Sequence, residues 1–382
     1  MNFTHNQFIS LSLSALAVAH LAVVVTAAQA PTPGTAPAQA ARERTGEELY
    51  RAACATCHGP DGKGSPKSVV GFDIELPDFT DCSFATPEAD LDWMAIIHQG
   101  GPTRAFDRMM PAFGDALTEA EIDRILGYVR GFCPEANWPR GDLNLPRPLV
   151  TEKASPENEA VLTTSVRSTG TGSVGNQFLY EHRIGPRGQY EVVVPFNLQE
   201  GAAGTWSRGL GDIALAYKHA LFDSLSRGSI LSAGSELKFP TGKERSGLGG
   251  GATIFEPFLT LGQILPRDGF LHAHAGLEFP LATSGASNEA FWRLAIGKTY
   301  ARNRFGRAWS PMVELLAARE IASGETTAWA LLPEMQVSLS TRQHILINAG
   351  VRFPVNERDT RGKTFLVYLL WDWFDGALFD GW

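Results

Sequence analysis

Cys54, Cys57 and His58 form the pattern Cys-x-x-Cys-His within "CATCHGPDGKG". A bare Cys-x-x-Cys could be a redox dithiol or half of a zinc site, but the following histidine is typical of covalent haem attachment. One helical turn presents two thiols to the two vinyl groups of the porphyrin, and the adjacent imidazole then lies under the iron as the proximal ligand. The motif occurs once, so the sequence predicts one covalently bound haem c.

The stretch "MMPAFG" offers a distal iron ligand. A methionine thioether opposite histidine favours ferrous iron and raises the reduction potential. Met110 is preferred over Met109 because Pro111 fixes the backbone directly after it, with core packing of both methionines as the alternative. His98, near the end of "DLDWMAIIHQGG", is a further candidate for the sixth position or a polar residue at a helix C-terminus. With Met110 bound, no iron position is open to substrate, which favours an electron carrier over an enzyme.

Local signals around these residues predict a small helical domain. Thr45 can cap a helix that leads to the haem motif, and Thr118-x-x-Glu121 is a capping box that opens a terminal amphipathic helix. Cys82 and Cys133 are the two remaining cysteines. In an oxidising compartment we expect a disulfide between them.

The order of these motifs resembles that of class I c-type cytochromes over residues 42–134. The resemblance implies a small all-α fold around one low-spin haem that transfers single electrons. That family does not require the pair Cys82 and Cys133.

Length, charge and the first residues limit the remaining possibilities. The chain has 382 residues and a net charge of −8, which suggests two domains after a leader and is the wrong sign for a nucleic-acid partner. Residues 1–30 contain an apolar run that ends in small residues and predict a signal peptide, with an uncleaved inner-membrane anchor as the alternative. A linker at 31–41 follows. No later stretch is apolar enough for a spanning helix, so any membrane crossing must use strands.

After a proline-rich linker at 135–156, residues 157–382 alternate apolar and polar side chains with the period of β-strands. In "FLHAHAGLEFP" the apolar residues share one face, while His272, His274 and Glu278 share the other. About twelve strands are predicted, starting near residues 159, 177, 189, 211, 228, 253, 270, 289, 308, 327, 344 and 364. The last strand is either "TFLVYLLWDW" or a segment that ends at Trp382.

An even number of alternating segments with unequal connections is typical of an antiparallel outer-membrane β-barrel, with a soluble β-sandwich as the alternative. "GLGDIALAYKHALF" and "LKFPTG" resemble a family of barrels described as possible transporters in the phenol-degradation MetA pathway, which implies passage of small apolar molecules. His272 and His274 are a possible metal pair or ordinary lumen residues. The predicted lumen set is Lys218, Glu236, Lys238, Glu278, Arg293, Glu334, Asn348 and Arg352.

A cytochrome domain followed by such a barrel is similar in architecture to porin-cytochrome fusions. Twelve strands enclose a lumen too narrow for a whole domain, so the haem domain is expected in the periplasm beneath an outer-membrane barrel. The leading hypothesis is a tethered monohaem cytochrome that exchanges electrons with periplasmic redox proteins or an outer-surface redox system, and whose barrel contacts outer-membrane lipid. The competing hypothesis is a channel for small apolar cargo with an accessory haem domain.

Overall fold

The computed structural model describes residues 42–134, 137–167, 172–201, 204–281, 287–356 and 362–373. The predicted signal peptide and the linker at 31–41 lie outside these ranges, as does the tail after Trp373.

The first domain is a small helical unit, as predicted. No helix among the described residues is long and apolar enough to cross a membrane. The α-helices are α1 (Gly46–Ala53), α2 (Ala55–His58), α3 (Lys67–Val70), α4 (Cys82–Ala85), α5 (Asp90–Gln99) and α6 (Glu119–Arg130). A 3-10 turn, Gly101–Arg104, follows α5.

Capping and close packing explain the two helices that frame this domain. Thr45 and Thr118 each complete a capping box at the start of α1 and α6. The helices approach so closely that a Cβ at Gly46 would lie 2.0 Å from the carbonyl oxygen of Arg124. Tyr50 on α1 then packs 5.3 Å from the ring of Tyr128 on α6, within the apolar core.

Cys82 and Cys133 form a disulfide with a Cα–Cα distance of 5.3 Å. The bond joins the start of α4 to the end of the domain and closes a loop with a sequence separation of 51 residues.

The second domain is an antiparallel barrel. Its strands are β1 (Glu159–Arg167), β2 (Ser173–Ile184), β3 (Gly188–Glu200), β4 (Trp206–Leu210), β5 (Ala214–Ser224), β6 (Ser229–Lys238), β7 (Ile254–Leu265), β8 (Gly269–Pro280), β9 (Glu289–Lys298), β10 (Tyr300–Ala301), β11 (Ala308–Glu320), β12 (Ala328–Ser338), β13 (Ile345–Pro354) and β14 (Thr364–Asp372).

Twelve of these strands close on themselves, which confirms the predicted number and excludes a sandwich. Each pairs with its neighbours, β9 pairs with β11, and β14 pairs with β1 along the register Glu159 to Asp372. The short strands β4 and β10 pair with β3 and β11 at opposite ends of the barrel. The closing strand β14 lies within "TFLVYLLWDW", one of the two segments considered for it.

The two faces of the barrel differ in the way the alternation predicts. His272 and His274 on β8 are buried inside, whereas outward residues such as Leu259, Ile296 and Trp309 are about half exposed. An outer surface with a belt of exposed aliphatic and aromatic side chains is suited to lipid.

The two ends also differ. Short turns at 185–187, 225–228 and 266–268 share one end, while the connections at 239–253 and 321–327 share the other. We call these the short-turn end and the long-loop end.

Candidate haem site and the lumen of the barrel

The haem motif lies at the junction of α1 and α2. The N–H of Cys54 still donates to the carbonyl of Tyr50 (2.8 Å), and the N–H of His58 donates to the carbonyl of Cys54 (2.9 Å). The backbone therefore makes one helical turn from Cys54 to His58. Neither Cys54 nor Cys57 takes part in a disulfide, although the other two cysteines of the chain do.

The His58 ring is held in an apolar environment. It stacks on Phe79 with a centroid distance of 5.0 Å, and Phe79 in turn contacts Trp93 at 5.4 Å. Burial lowers the pKa of His58 to about 4, so the imidazole is neutral at neutral pH and has a lone pair available for iron. Burial also raises the pKa of Cys54 to about 11, which keeps its sulfur as a thiol.

Tyr50 fixes the backbone that follows the motif. Its hydroxyl donates to the carbonyl of Gly59 (2.7 Å) and lies 3.3 Å from that of His58. Gly59 itself has φ +75°, a conformation that glycine adopts without strain. A buried tyrosine thus sets the orientation of the segment that carries His58.

The two methionines of "MMPAFG" differ in environment. Met110 packs against the core of the haem domain, whereas Met109 is 47% exposed. The carbonyl of Met110 accepts from the N–H of Gly101 (2.9 Å). His98 instead has its ring 5.4 Å from Phe305, a residue of the barrel.

The residues present fit haem c. His58 Nδ1 is buried with no hydrogen-bond partner within the described part of the chain, so the ring is not committed elsewhere. Two thiols one turn apart, a neutral imidazole and a thioether within one apolar core are the donor set that c-type haem requires.

The haem domain contacts the short-turn end of the barrel. The Arg104 guanidinium joins Asp92 on α5 (2.6 Å) to the carbonyl of Phe305 (2.7 Å), which lies in the turn before β11. Phe305 is only 5% exposed and belongs to the apolar core of the haem domain. One barrel turn thus completes the core of the other domain.

A histidine makes a second contact at this interface. His344, in the turn before β13, lies 3.2 Å from the carboxylate of Glu88 in the haem domain. Its other ring nitrogen lies 3.1 Å from Asp372 at the end of β14. Arg304 pairs with Glu119 at the exposed edge of the same interface.

The chain between the two domains lies inside the barrel. Residues 143–157, here called the lumen segment, enter from the short-turn end, where Leu143 packs against Ala220 and Ile230. Further along, the N–H groups of Val150 and Thr151 donate to Glu314, the middle residue of β11 (2.9 and 2.6 Å). The segment then returns to the start of β1.

Two buried ion-pair groups hold the lumen segment. Arg147 pairs with Glu159 (2.5 Å) and Glu181 (3.1 Å), two carboxylates on β1 and β2. Lys218 on β5 reaches back to Glu152 of the segment at 2.6 Å. Every one of these side chains is less than about one-fifth exposed, so removal of one partner leaves a buried charge with less compensation.

The backbone of the lumen segment is also paired with inward-facing side chains. The carbonyl of Arg147 accepts from the Tyr368 hydroxyl (2.7 Å), and the N–H of Leu149 donates to Glu334 (3.0 Å). Pro146 and Pro148 have no N–H group, so the barrel wall does not need to provide a hydrogen-bond acceptor for the backbone at these two positions.

The lumen residues predicted from the sequence lie on the inner face of the barrel. Some contact the lumen segment, and others lie nearer the long-loop end. Lys218, Glu334 and Asn348 contact the lumen segment. Towards the long-loop end, Lys238 lies between 3.7 and 4.0 Å from each of three carboxylates, those of Glu236, Glu256 and Glu278. Arg293 donates to the carbonyl of Val150, and Arg352 donates to Thr364.

The histidine pair on β8 also contacts the lumen segment. His272 Nε2 lies 3.0 Å from the carbonyl of Pro146, and His274 Nδ1 lies 3.4 Å from the N–H of Glu152. These contacts favour the interpretation of both residues as part of the lumen wall.

Comparisons with known proteins agree with two domains. Residues 41–129 match the family model described as cytochrome C oxidase, cbb3-type, subunit III. The first domain is therefore a c-type cytochrome domain, which implies haem c and electron transfer. A comparison with curated proteins finds no significant match.

Solved structures similar to the chain include several barrels. The COG4313 outer membrane channel from Pseudomonas putida F1 is 11% identical, with 60% of this chain and 100% of that chain covered and a TM-score of 0.44. The NanC porin is 11% identical, with 56% and 99% covered and a TM-score of 0.39. The KdgM porin is 8% identical, with 56% and 99% covered and a TM-score of 0.37.

Proposed function

We propose that the protein is a monohaem c-type cytochrome anchored in the outer membrane by its barrel, and that it exchanges single electrons with periplasmic redox proteins. Cys54 and Cys57 would hold the haem through thioether bonds, and His58 and Met110 would bind its iron. The bound haem would supply one-electron redox chemistry, with each electron supplied or accepted by a redox protein.

The observation that carries this proposal is the occupied lumen. The lumen segment lies inside the barrel as far as the middle of β11 and is held there by ion pairs and by backbone hydrogen bonds. An interior of this kind favours an anchor over an open channel. Because the haem domain is docked on the same end from which the segment enters, the barrel also fixes the position of the cytochrome.

Orientation follows from the two ends of the barrel. Outer-membrane barrels have short periplasmic turns and longer extracellular loops. The haem domain contacts the short-turn end through Phe305 and His344, which supports a periplasmic location for the haem.

Covalent haem in a membrane-inserted barrel can be tested directly. The full chain is expressed with a cytochrome c maturation system, and outer-membrane fractions are run unboiled and boiled on a haem-stained denaturing gel. The proposal predicts a full-length, haem-positive band that shifts on boiling. Haem staining confined to soluble or inner-membrane fractions, without a shift, would show that the proposed anchoring is wrong.

Electron exchange needs its own assay. The purified protein is reduced with ascorbate, and its reoxidation by a soluble c-type cytochrome is followed in the visible spectrum. Rapid, complete one-electron reoxidation is expected. A ferrous protein that remains reduced in the presence of several soluble cytochromes would contradict the proposed carrier role.

The channel hypothesis requires displacement of the lumen segment. Small apolar cargo would otherwise meet Leu149 and Val150, which pack against inward-facing leucines of the barrel wall. Vesicle permeability separates the two hypotheses, because an anchor leaves permeability at background in both redox states.

A further inference from the structure

The loop between α5 and α6 that carries Met110 is closed by its own backbone. The N–H of Gly101 donates to the carbonyl of Met110 (2.9 Å), and the N–H of Phe106 donates to the carbonyl of Gly101 (3.0 Å). A Cβ at Gly101 would lie 2.2 Å from the carbonyl oxygen of Asp107, so the closure depends on glycine. Because these hydrogen bonds close the loop, Arg104 and Phe106 lie in one compact backbone unit with Met110.

One barrel contact to this loop is made by the turn between β10 and β11. Phe305 places its ring 5.4 Å from that of His98 on α5, and its carbonyl accepts a hydrogen bond from Arg104. The two preceding residues, Asn303 and Arg304, have φ values of 49° and 66°. Non-glycine residues adopt this left-handed conformation at an energetic cost, and here it accompanies the burial of Phe305 in the haem domain.

A second barrel residue contacts the same loop. Arg342, in the turn between β12 and β13, has its guanidinium carbon 4.2 Å from the centroid of the Phe106 ring. Its Nε donates to the carbonyl of Arg104 (3.3 Å), and the residue is 8% exposed. Arg104 and Phe106 are therefore both held by side chains or backbone of the barrel.

We propose that Phe305 and Arg342 are positioning residues for the Met110 loop, so that the barrel completes the distal side of the haem site. The inference rests on the proposed role of Met110 as the distal ligand. Phe305 acts through His98 and Arg104, and Arg342 acts through Arg104 and Phe106. Loss of either contact should make the Met110 loop easier to displace by an external ligand.

The test uses the full-length, haem-loaded protein, three test variants and one control. Phe305→Ala removes the ring that packs against His98 and the core of the haem domain but keeps the backbone carbonyl that accepts from Arg104. Arg342→Ala removes both contacts of Arg342, and Phe305→Leu is the conservative variant. Tyr300→Ala is the matched control, since Tyr300 lies beside the same turn but is 53% exposed. The readouts are the methionine-to-ferric-iron charge-transfer absorption and the affinity of the ferric protein for imidazole, neither of which responds to barrel stability alone.

We expect Phe305→Ala and Arg342→Ala to weaken the charge-transfer absorption and to raise imidazole affinity about fivefold or more, a typical size for coupling between sites. Phe305→Leu should recover most of the difference, and Tyr300→Ala should behave as the unmodified protein. If Phe305→Ala fails to give a heat-modifiable barrel, Arg342→Ala decides the question, because it leaves the apolar core intact.

Met110→Ala separates the two ways in which the inference can fail. If Met110→Ala leaves the charge-transfer absorption unchanged, the assignment of the distal ligand is wrong and the inference falls with it. If Met110→Ala abolishes the absorption while both barrel variants bind imidazole as the unmodified protein does, the positioning role alone is overturned.

Discussion

The haem domain and the barrel have opposite interiors. The haem domain is packed with apolar side chains around Tyr50 and Ile122, and its chemistry is concentrated in a few residues close together in sequence. The barrel interior is built from Arg147, Glu181, Lys218 and their neighbours, whose partners come from distant strands. Lipid accounts for the difference, since the exposed apolar side chains of the barrel face outwards, while the lumen combines buried ion pairs with apolar clusters such as that of Leu316 and Leu332.

Stability and chemistry therefore depend on different kinds of contact in the two regions. Loss of one surface charge changes the stability of a domain with an apolar core only slightly. Loss of one buried partner of an ion pair in the lumen lowers the stability of the barrel strongly. The two regions nevertheless meet, because Phe305 belongs by sequence to the barrel and by packing to the haem domain.

The largest expected effect is a loss of haem from the first domain that leaves the barrel folded. Cys57→Ser or His58→Ala should abolish normal haem c in the first domain, because a thioether or the proximal ligand is lost. The barrel should still shift on boiling. Haem-stained and protein-stained gels of the same samples measure both properties.

His98→Ala is the control for this experiment and should retain covalent haem. Full haem staining and an unchanged spectrum in His58→Ala would show that another residue is the proximal ligand.

The next largest effect concerns the lumen. Arg147→Ala should lower the free energy of unfolding of the barrel by about 3–5 kcal/mol, because the buried Glu181 loses its cation at 3.1 Å and Glu159 keeps only Lys153 at 3.6 Å. The midpoint of the heat-induced band shift in detergent measures the change.

Arg245→Ala, in an exposed loop, provides the matched control and should leave that midpoint unchanged. Equal midpoints for the two variants would mean that the ion pairs of Arg147 do not stabilise the barrel.

A smaller effect is expected from the disulfide of the haem domain. Replacement of Cys82 and Cys133 by serine should lower the free energy of unfolding of this domain by about 2–4 kcal/mol, because the unfolded chain regains the freedom that the cross-link removes. Urea unfolding followed by the haem spectrum measures it. The barrel transition should not move, and a shift there would show that the two domains unfold together.

The last expected effect is a pH dependence at the interface. Burial, and then the neighbouring Glu88, raise the pKa of Asp92 to about 7. The folded domain therefore binds this proton more tightly than the unfolded chain does, and its stability should fall as the pH rises from about 4 to about 7.

Asp92→Asn should reduce that slope while Asp107→Asn, on the exposed Met110 loop, should not. Urea unfolding at a series of pH values compares the variants, and an identical slope in Asp92→Asn would remove Asp92 as the cause.

Much of this architecture could be predicted because its signals are local. Cys-x-x-Cys-His, the two capping boxes and the strand alternation each involve residues within a few positions of one another. The start of β1 at Glu159 and the closing strand β14 follow from the same alternation.

The lumen segment could not be predicted in the same way. A run rich in proline is typical of an exposed linker, and the partners of Arg147 and Thr151 include Tyr368 and Glu314, far along the chain. Charge was the one signal that pointed to a buried segment. Arg147 and Glu152 are charged residues within the proline-rich connector, and Lys218 faces the lumen with no acidic partner nearby in the sequence. Phe305 gave no such signal, because an aromatic residue in a barrel turn is also typical of an interface girdle.

The most direct test of the closed, anchoring barrel compares the full chain with a variant whose residues 146–153 are replaced by a Gly/Ser segment of equal length. Both proteins are reconstituted into vesicles, and the uptake of a small uncharged solute is measured. We expect background permeability for the full chain and a clear increase for the variant, with covalent haem in both. Equal, high permeability of both proteins would contradict it, because the lumen segment would then not close the barrel.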